Sequence, residues 1–423
     1  MNKKFTVFVG MSGGVDSSVS AALLKQQGYD VVGVFMKNWS NPPTGGMPGG
    51  FCSAEADFAD VRAVCQHLDI PYYTFNFEKE YKKRVLDYFF AEYKAGRTPN
   101  PDVMCNKEIK FDLFLKKSLS LGADFISTGH YAQVISGHPE PDHPLSSSGL
   151  TRGSRQKQKH FSSLDSRLRG NDKDKLQYSL LKGNDPIKDQ TYFLYNLTQE
   201  QLAKTLFPVG KYPKKQVRAL AKKFKLPTAT KKDSQGICFI GPVDVKEFLK
   251  TMIKTKTGKI VNQEGKVLGH HEGAWFYTIG QRRIEGLSGQ SAPLYVIGTD
   301  IKKNLVIVGP DAETYGKGVV LENLHLIDPD SVQSLRATKG SAAISHQKIA
   351  SSFKTSRNDG KVSHLTAKPR YGPDIYAGQL ISKNKCWQFI IDEPQRALTP
   401  GQSLVIYDKK VCLGGGVIQA VIK

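Results

Sequence analysis

The stretch Gly10-Met-Ser-Gly-Gly-Val-Asp-Ser-Ser18 decides the fold, because it joins a strand-like run to a helical pattern. The apolar residues 5–9 before it predict a buried strand, and residues 19–27 after it predict a helix. Glycines in such a turn let an anion approach the unpaired N–H groups at the start of the helix. The turn lacks the lysine of a Walker A loop, so it indicates a phosphate site of another kind. The alternative is a plain glycine-rich connection.

Strand-like and helical patterns alternate through the first third of the chain. Strands are predicted at residues 31–36, 72–77 and 125–132, and a helix is predicted at residues 57–68. This alternation predicts an α/β fold with a doubly wound parallel sheet, in which ligands bind at the carboxyl ends of the strands. Residues 10–18 and 128–131 both lie at such ends. Met36 closes the second strand, where it can pack on an adenine or simply belong to the core.

The later part of the chain has a different pattern. From residue 256 onward, short alternating runs separated by Gly, Asn and Asp predict small antiparallel β-barrels. We therefore expect a catalytic domain at residues 1–245, a central small β domain at residues 246–312 and a C-terminal β-barrel at residues 313–423. The β domains carry no obvious catalytic cluster, which suggests that they grip a large substrate.

Two stretches interrupt these patterns. Residues 136–177 lack apolar periodicity and predict a disordered insertion within the catalytic domain, with helical sequence resuming after Leu180. Three consecutive glycines at residues 414–416 predict a close turn.

Composition limits the class of protein. The chain has 423 residues and no apolar run long enough to span a bilayer, so we expect no membrane association. The first strand begins at Phe5, which leaves no room for a targeting segment, so a cytoplasmic location is expected. The six cysteines form no CxxC pair, and we predict thiols rather than a metal site.

The positive charge is concentrated in one region. Residues 203–259 contain fifteen Lys and Arg against three acidic residues, which accounts for more than half of the net charge of +21. Within it, residues 213–225 predict a helix with Val217, Leu220 and Phe224 on one face and basic side chains on the rest. Such a surface is typical of nucleic-acid binding, although a solvated basic helix is the alternative.

Cys105 is the first candidate for reactive chemistry. It precedes a helix predicted at residues 107–119 and lies beside Lys107 and Lys110, which should lower its pKa. Asp102, three residues earlier, is positioned to act as a general acid or base. A small buried hydrophobic role for Cys105 is the alternative.

Cys238 is the second candidate. Its neighbours Ile237, Phe239 and Ile240 favour a buried, inert thiol. Its position after Ser234-Gln-Gly236, at the edge of the basic region, favours a reactive one.

Motifs along nearly the whole chain resemble those of the tRNA-specific 2-thiouridylase family, whose members replace the C2 oxygen of the wobble uridine with sulfur. The opening turn resembles the SGGxDS pyrophosphate loop of enzymes that cleave ATP between its α- and β-phosphates. The other matching motifs are residues 35–39, 97–111, 128–131, 188–194, 233–241, 278–282, 399–402 and 412–416. The insertion and a polar stretch at residues 333–361 depart from the family pattern without overlapping a motif.

The resemblance implies roles for individual residues. Residues implied in ATP binding are Gly10, Met11, Ser12, Gly13, Gly14, Val15, Asp16, Ser17, Met36 and Gly129, with Asp16 helping to hold Mg²⁺. Residues implied in meeting the target base are Asn100, Pro101 and Asp102. Residues implied in other tRNA contacts are His130, Lys188, Asp189, Gln190, Arg370, Tyr371 and Gln402. Cys238 would carry a persulfide, and Cys105 would be its partner.

The implied reaction uses ATP and Mg²⁺. ATP would adenylate the C2 oxygen of uridine 34 in the anticodon stem-loop, after the base flips out of its stack. The persulfide sulfur would then attack C2, and a Cys105–Cys238 disulfide would be left for reduction. A cysteine desulfurase or a sulfur relay protein is implied as the sulfur donor, since the chain has no recognisable pyridoxal phosphate signal.

Three other classes share part of this pattern. A GMP- or argininosuccinate-synthetase-like enzyme would share the loop, but would not require the basic region or the paired cysteines. A tRNA lysidine synthetase would need no thiol, so it would survive cysteine alkylation. A non-catalytic RNA-binding module would release no pyrophosphate.

Overall fold

The computed structural model describes residues 4–39, 53–136, 177–233, 244–289, 292–328, 365–383 and 386–423. The first part of the chain forms a parallel five-stranded sheet. Its strands, in sheet order, are β3 (Tyr72–Asn76), β2 (Asp30–Lys37), β1 (Thr6–Met11), β4 (Phe125–Ser127) and β7 (Thr205–Leu206). Alternate β1 residues enter two separate cores, Val7 and Val9 in one and Phe8 in the other. The predicted α/β parallel sheet, covered on both faces, is confirmed.

Seven helical segments of the described chain matter for the site. They are α1 (Val15–Gln26), α2 (Ser53–His67), α3 (Glu78–Tyr81, π-helical Lys82–Leu86 and Asp87–Lys94), α4 (Pro101–Cys105, π-helical Asn106–Phe114 and Leu115–Ser120), α5 (Gln199–Ala203), α6 (Lys214–Lys223) and α7 (Val245–Lys250). The predicted start of α4 at residue 107 is wrong. Asn100 caps the helix by accepting hydrogen bonds from the N–H groups of Asp102 and Val103, and Pro101 suits the first helical position.

The central part contains the strands β8 (Gly258–Val261), β9 (Val267–His271), β10 (Tyr295–Asp300) and β11 (Leu305–Gly309). They form a four-stranded sheet in the order β10-β11-β8-β9. The predicted purely antiparallel pairing is wrong for one pair, because β8 and β11 run parallel.

The C-terminal part is a closed six-stranded antiparallel barrel. Its strands are β12 (Tyr315–Leu326), β13 (Leu365–Lys368), β14 (Tyr376–Lys383), β15 (Cys386–Arg396), β16 (Ser403–Asp408) and β17 (Val411–Ile422). The predicted turn at residues 414–416 is wrong, since these glycines lie within β17. A Cβ on Gly414 would lie 2.1 Å from the His325 carbonyl oxygen, and one on Gly415 would lie 2.3 Å from that of Leu404, so the close strands require glycine.

A hairpin links the first part to the barrel. β5 (Ala132–Ser136) pairs with β6 (Tyr178–Lys182), and β6 in turn pairs with β17. The strand β6 ends at Lys182, and helical structure resumes only with the short turn Thr191–Phe193 and with α5, later than the predicted position directly after Leu180. Residues 137–176 of the predicted insertion and the polar stretch at residues 333–361 lie outside the described residues.

One hydrophobic core runs through all three parts. It contains Phe8 of the parallel sheet, Phe248 of α7, Ile260 of the central sheet and Val405 of the barrel. The three parts therefore pack as one body, which fixes loops from each part against one another.

Candidate active site

The glycine-rich turn between β1 and α1 has a fixed shape. Gly14 is the N-cap residue of α1, and the Ser17 and Ser18 hydroxyls donate to its carbonyl oxygen at 3.2 and 2.8 Å. Gly13 has a φ of 72°, and a Cβ there would lie 2.6 Å from the Asp57 carbonyl oxygen. Only glycine fits this position. The turn thus leaves the N–H groups at the start of α1 in an arrangement that suits anion binding.

The residues predicted to bind the nucleotide converge at the carboxyl ends of β1, β2 and β4. A Cβ on Gly10 would lie 3.1 Å from the Met36 methyl carbon and 3.4 Å from the ring of Phe114 on α4. A Cβ on Gly129 would lie 2.7 Å from the Ser17 nitrogen, so the loop after β4 closes on α1. The buried members of the predicted set are Gly10, Met11, Gly13, Val15, Ser17 and Met36.

Asp16, in the first turn of α1, has two partners from distant parts of the chain. The Tyr131 hydroxyl donates to Oδ1 at 2.8 Å. Lys214 Nζ donates to Oδ1 and Oδ2 at 2.7 and 2.8 Å, across 198 positions of sequence. Burial and the Asp16 carboxylate raise the pKa of Tyr131 far above its ordinary value, so its hydroxyl remains a donor.

Asp233 is the centre of an ion-pair cluster beside Asp16. Its carboxylate contacts Lys188 Nζ at 2.9 Å, Lys214 Nζ at 3.0 Å and an Arg218 nitrogen at 2.5 Å. Burial opposes ionisation, but hydrogen bonds from the lysines outweigh it and lower the pKa of Asp233 to about 2. The cluster therefore fixes Asp233, the last described residue before Cys238. Cys238 itself lies outside the described residues.

A second anchor stands just before Asp233. Lys231 Nζ donates to Asp57 at 2.7 Å and to Asp60 at 2.6 Å, both on α2. The described segment before Cys238 is therefore tied to α2 as well as to α6.

The candidate base-recognition residues form the start of α4. Asn100 caps the helix, Pro101 is its first residue and the Asp102 carbonyl accepts from the Asn106 side chain at 3.0 Å. Cys105 lies inside the helix with no exposed surface, not before it as predicted. The predicted position of Cys105 before the helix is therefore wrong, and the thiol lies in the second turn of α4.

The loop that leads into α4 is held by both β domains. The Thr98 N–H donates to the Pro400 carbonyl at 2.9 Å, and Gln402 Nε2 donates to the Thr98 and Pro99 carbonyls at 2.8 and 3.4 Å. The Thr98 hydroxyl also contacts that of Thr278 in the central part at 3.0 Å. The Gln402 amide therefore supports the loop from the barrel side.

Asp189 and Gln190 make internal contacts. Asp189 is buried and accepts from Lys368 Nζ at 3.2 Å and from the Thr191 hydroxyl at 2.8 Å. Gln190 Oε1 accepts from the Tyr131 N–H at 2.9 Å. These contacts join the 188–190 segment both to the nucleotide end of the sheet and to the barrel strand that precedes Arg370.

The remaining predicted tRNA residues differ in exposure. Arg370 is partly exposed and 3.8 Å from Asp374, and Tyr371 is 40% exposed with its ring 4.5 Å from that of Phe193. His130 is buried, and its Nδ1 is 2.7 Å from the Thr128 hydroxyl oxygen. Burial, with a smaller effect of Lys110, lowers the pKa of His130 well below its ordinary value, so the ring is neutral at pH 7.

A cavity of about 410 Å³ opens where the three parts of the chain meet. Arg370 and Gln402 are among its lining residues, so the structure brings these two predicted residues together. The others are Thr98, Thr278, Ile279, Gly280, Gln281, Pro369, Arg396, Ala397 and Thr399.

Sequence reasoning missed Lys214, Tyr131 and Asp233 as site residues. Tyr131 and Asp233 lie in quoted motifs, but no local pattern separates Lys214 from the other lysines of its basic helix. Among the described residues, no group of three or more His, Cys, Asp or Glu side chains is arranged to hold a metal ion. No helix in the described ranges has the length and apolar character needed to cross a membrane.

The fold and the site define an α/β protein of the HUP class, followed by two β domains. Residues 5–242 match the family described as tRNA methyl transferase HUP domain. Residues 246–310 match the tRNA methyl transferase PRC-barrel domain, and residues 345–418 match the aminomethyltransferase beta-barrel domain.

Curated relatives specify the family. The chain is 44% identical to the tRNA-specific 2-thiouridylase of Halalkalibacterium halodurans, over 99% of this chain and 95% of the relative. It is 44% identical to that of Streptococcus thermophilus over 100% and 97%, and 43% identical to that of Oceanobacillus iheyensis over 100% and 97%. The chain belongs to the tRNA-specific 2-thiouridylase family. NMN synthetase from Francisella tularensis superposes with a TM-score of 0.29 at 13% identity over 59% of this chain and 83% of that chain, which is too low to support an inference.

Proposed function

We propose that this protein is an ATP-dependent tRNA 2-thiouridylase that converts the C2 oxygen of wobble uridine 34 to sulfur. The observation that carries the proposal, beside family membership, is the convergence of Gly10, Met36 and Gly129 at the carboxyl ends of the strands, with Gly10 against Phe114 of α4 and Gly129 against α1. This arrangement supports a nucleotide site against α4, the helix whose N-terminal turn carries Asn100, Pro101 and Asp102. We propose that the substrate base and the α-phosphate of ATP meet beside this helix.

The first step is adenylation of the base. The uridine C2 oxygen attacks the α-phosphorus of ATP, and pyrophosphate leaves with the electron pair of the broken P–O bond. The N–H groups at the start of α1 stabilise the phosphate charge, and Asn100, Pro101 and Asp102 receive the flipped base. Asp102 is our candidate general acid or base for the proton on the uracil ring.

The donor set at the turn suits Mg²⁺, because the Asp16 carboxylate and the Ser12 and Ser17 hydroxyls offer oxygen ligands. Bound there, Mg²⁺ would neutralise phosphate charge. The Asp16 carboxylate already forms an ion pair with one cation, the Lys214 ammonium group.

The second step is sulfur transfer. We propose that the terminal sulfur of a Cys238 persulfide attacks C2, and that AMP leaves with the original oxygen. Cys105 thiolate then attacks the Cys238 sulfur, which releases the thiocarbonyl base and leaves a Cys105–Cys238 disulfide for an external thiol to reduce. Because Cys105 is fully buried, we propose that it reacts only when α4 shifts on substrate binding.

The tRNA contacts divide by exposure. We propose that Arg370 and Tyr371 touch tRNA directly, together with Lys188 and with Lys222 and Lys223 in the last turn of α6. We propose that the buried His130 and Asp189, and the internally bonded Gln190 and Gln402, act chiefly by shaping that surface. A basic surface of this kind suits an anticodon stem-loop. We place the reaction in the cytoplasm, with a cysteine desulfurase or a relay protein as the sulfur donor.

The test compares the cysteine variants with tRNA, ATP, Mg²⁺ and a sulfur source, measured by mass spectrometry of digested nucleosides. Cys238→Ser should form no 2-thiouridine, yet still release pyrophosphate in the presence of tRNA, because adenylation precedes sulfur transfer. Cys386→Ser is the matched control, since Cys386 is an exposed barrel cysteine and should retain full activity. Full sulfur incorporation by Cys238→Ser would refute the assignment.

A further inference from the structure

We propose that Lys214 is the phosphate-binding lysine of the nucleotide site and holds the β- and γ-phosphates that leave as pyrophosphate. Residues 10–18 contain no lysine, so the turn itself supplies no cationic side chain. The proposal rests on the proposed function, because it requires ATP cleavage at this turn. It adds a substrate-binding residue that comes from a helix about two hundred positions away.

Lys214 is held firmly beside the turn. It is the first residue of α6, and its N–H donates to Asp185 at 2.8 Å. Val217 and Ala221 of the same helix are buried in the core that contains Val19 of α1. α6 therefore packs on the helix whose N-terminus would bind phosphate, which fixes the distance between the lysine and that end.

The ammonium group lies at the phosphate end of α1. Its Nζ is 2.7 Å from a carboxylate oxygen of Asp16, which is the second residue of α1. The Lys214 side chain is 13% exposed, so water screens its charge weakly. A phosphate bound at the start of α1 would thus lie within reach of this ammonium group.

The surrounding charges allow the lysine to change partner. Asp233, the second carboxylate on Lys214, also pairs with Lys188 and Arg218. It therefore keeps two cations if Lys214 turns toward a phosphate. Asp16 keeps the Tyr131 hydroxyl and becomes available to a divalent cation. No buried charge is left without a partner by the exchange.

The role in the reaction follows from charge. When the bond between the α-phosphorus and the bridging oxygen breaks, its electron pair passes to pyrophosphate. The Lys214 ammonium stabilises that added negative charge and keeps its own proton throughout. The interaction is therefore stronger in the transition state than with bound ATP, which raises the rate of adenylation.

The experiment compares Lys214→Met, Lys214→Arg and Lys215→Met with the wild type. Lys215 is the exposed neighbour on the same helix and serves as the matched control. Calorimetry measures the binding of inorganic pyrophosphate and of AMP, and a steady-state assay measures tRNA-dependent pyrophosphate release. We expect Lys214→Met to weaken the binding of pyrophosphate at least tenfold, to raise the KM for ATP and to lower kcat. AMP, which lacks the β- and γ-phosphates, should bind as before.

Lys214→Arg should retain part of the pyrophosphate affinity, and Lys215→Met should match the wild type. If Lys214→Met weakened the binding of AMP and of pyrophosphate equally, Lys214 would have a merely structural role and the proposal would be overturned. Unchanged pyrophosphate affinity and release in Lys214→Met would overturn it as well, while leaving the proposed function intact. Absence of tRNA-dependent pyrophosphate release in the wild type would instead overturn the proposed function.

Discussion

Asp189 and Lys368 form the most deeply buried ion pair among the described residues, with side chains 2% and 4% exposed. Lys368 precedes the Arg370-Tyr371 pair on the barrel, and Asp189 lies between Lys188 and Gln190 on the first domain. The ion pair therefore links two segments that we propose form one tRNA-binding surface. The local sequence gives no sign of this burial, which comes from the packing of the barrel against the first domain.

We expect Lys368→Met to reduce the free energy of unfolding by about 3–5 kcal/mol, because the Asp189 charge would remain buried without its cation. Combining it with Asp189→Asn should recover part of that loss, since both charges are then gone. Urea unfolding measures the free energy of unfolding of the single and of the double variant. The control, Lys116→Met, removes an ion pair whose lysine is 74% exposed and should cost less than about 1 kcal/mol. A similar small cost for Lys368→Met would contradict the buried-charge argument.

At the scale of secondary-structure elements, the decisive contact is between the turn at residues 399–402 and the loop before α4. Gly401 has a φ of 92°, and a Cβ there would lie 2.7 Å from the Thr98 nitrogen and 2.9 Å from the Arg97 Cβ. The barrel turn and the loop thus approach so closely that only glycine fits. Because the loop positions Asn100 and Asp102, the barrel influences the base-recognition geometry.

Gly401→Ala should therefore lower the rate of thiolation at least tenfold, because the added methyl group pushes the loop away from its position. Gly265→Ala is the matched control: Gly265 has a similar φ of 83°, but nothing lies within 4 Å of its added Cβ. Both variants carry the backbone strain of about 1 kcal/mol that a left-handed alanine imposes. Nucleoside analysis of the product tRNA measures the rates. Equal activity of the two variants would rule out a role for this contact.

At the scale of the whole molecule, the three parts share one core, and α7 joins the first part to the central part. The Phe248 ring of α7 lies 5.4 Å from that of Phe90 and 6.1 Å from that of Phe89, both on α3. Phe248 is 2% exposed. The central β domain is therefore fixed to the first domain by apolar packing, which keeps Thr278 against the base-recognition loop.

Phe248→Ala should cost about 3–5 kcal/mol of unfolding free energy through lost burial and a residual cavity. It should also give the central domain an earlier transition in urea, which fluorescence and limited proteolysis would detect. Met252→Ala, two residues beyond the end of α7 and 50% exposed, should change little. A single unchanged transition in Phe248→Ala would show that the domains are held together elsewhere.

The sequence by itself determined the parallel sheet, the glycine-rich turn, the basic helix α6 and the change to β structure, because each depends on local periodicity and turn chemistry. It also determined the family, through motifs distributed along the chain. It failed at Gly414 to Gly416, where neighbouring strands override local preference, and it did not predict β6. It also placed the start of α4 too late, although Asn100 and Pro101 are local capping signals.

Only the tertiary structure decided which side chains meet. Lys214 and Asp16 are 198 positions apart, and Gln402 and Thr98 are 304 apart, so no local pattern could pair them. Burial is likewise a property of the packed molecule, which is why the local sequence left the burial of Cys105 open and gave no sign of the burial of Asp189. Local sequence encodes backbone preference, whereas contacts between distant residues depend on how the three parts share a core.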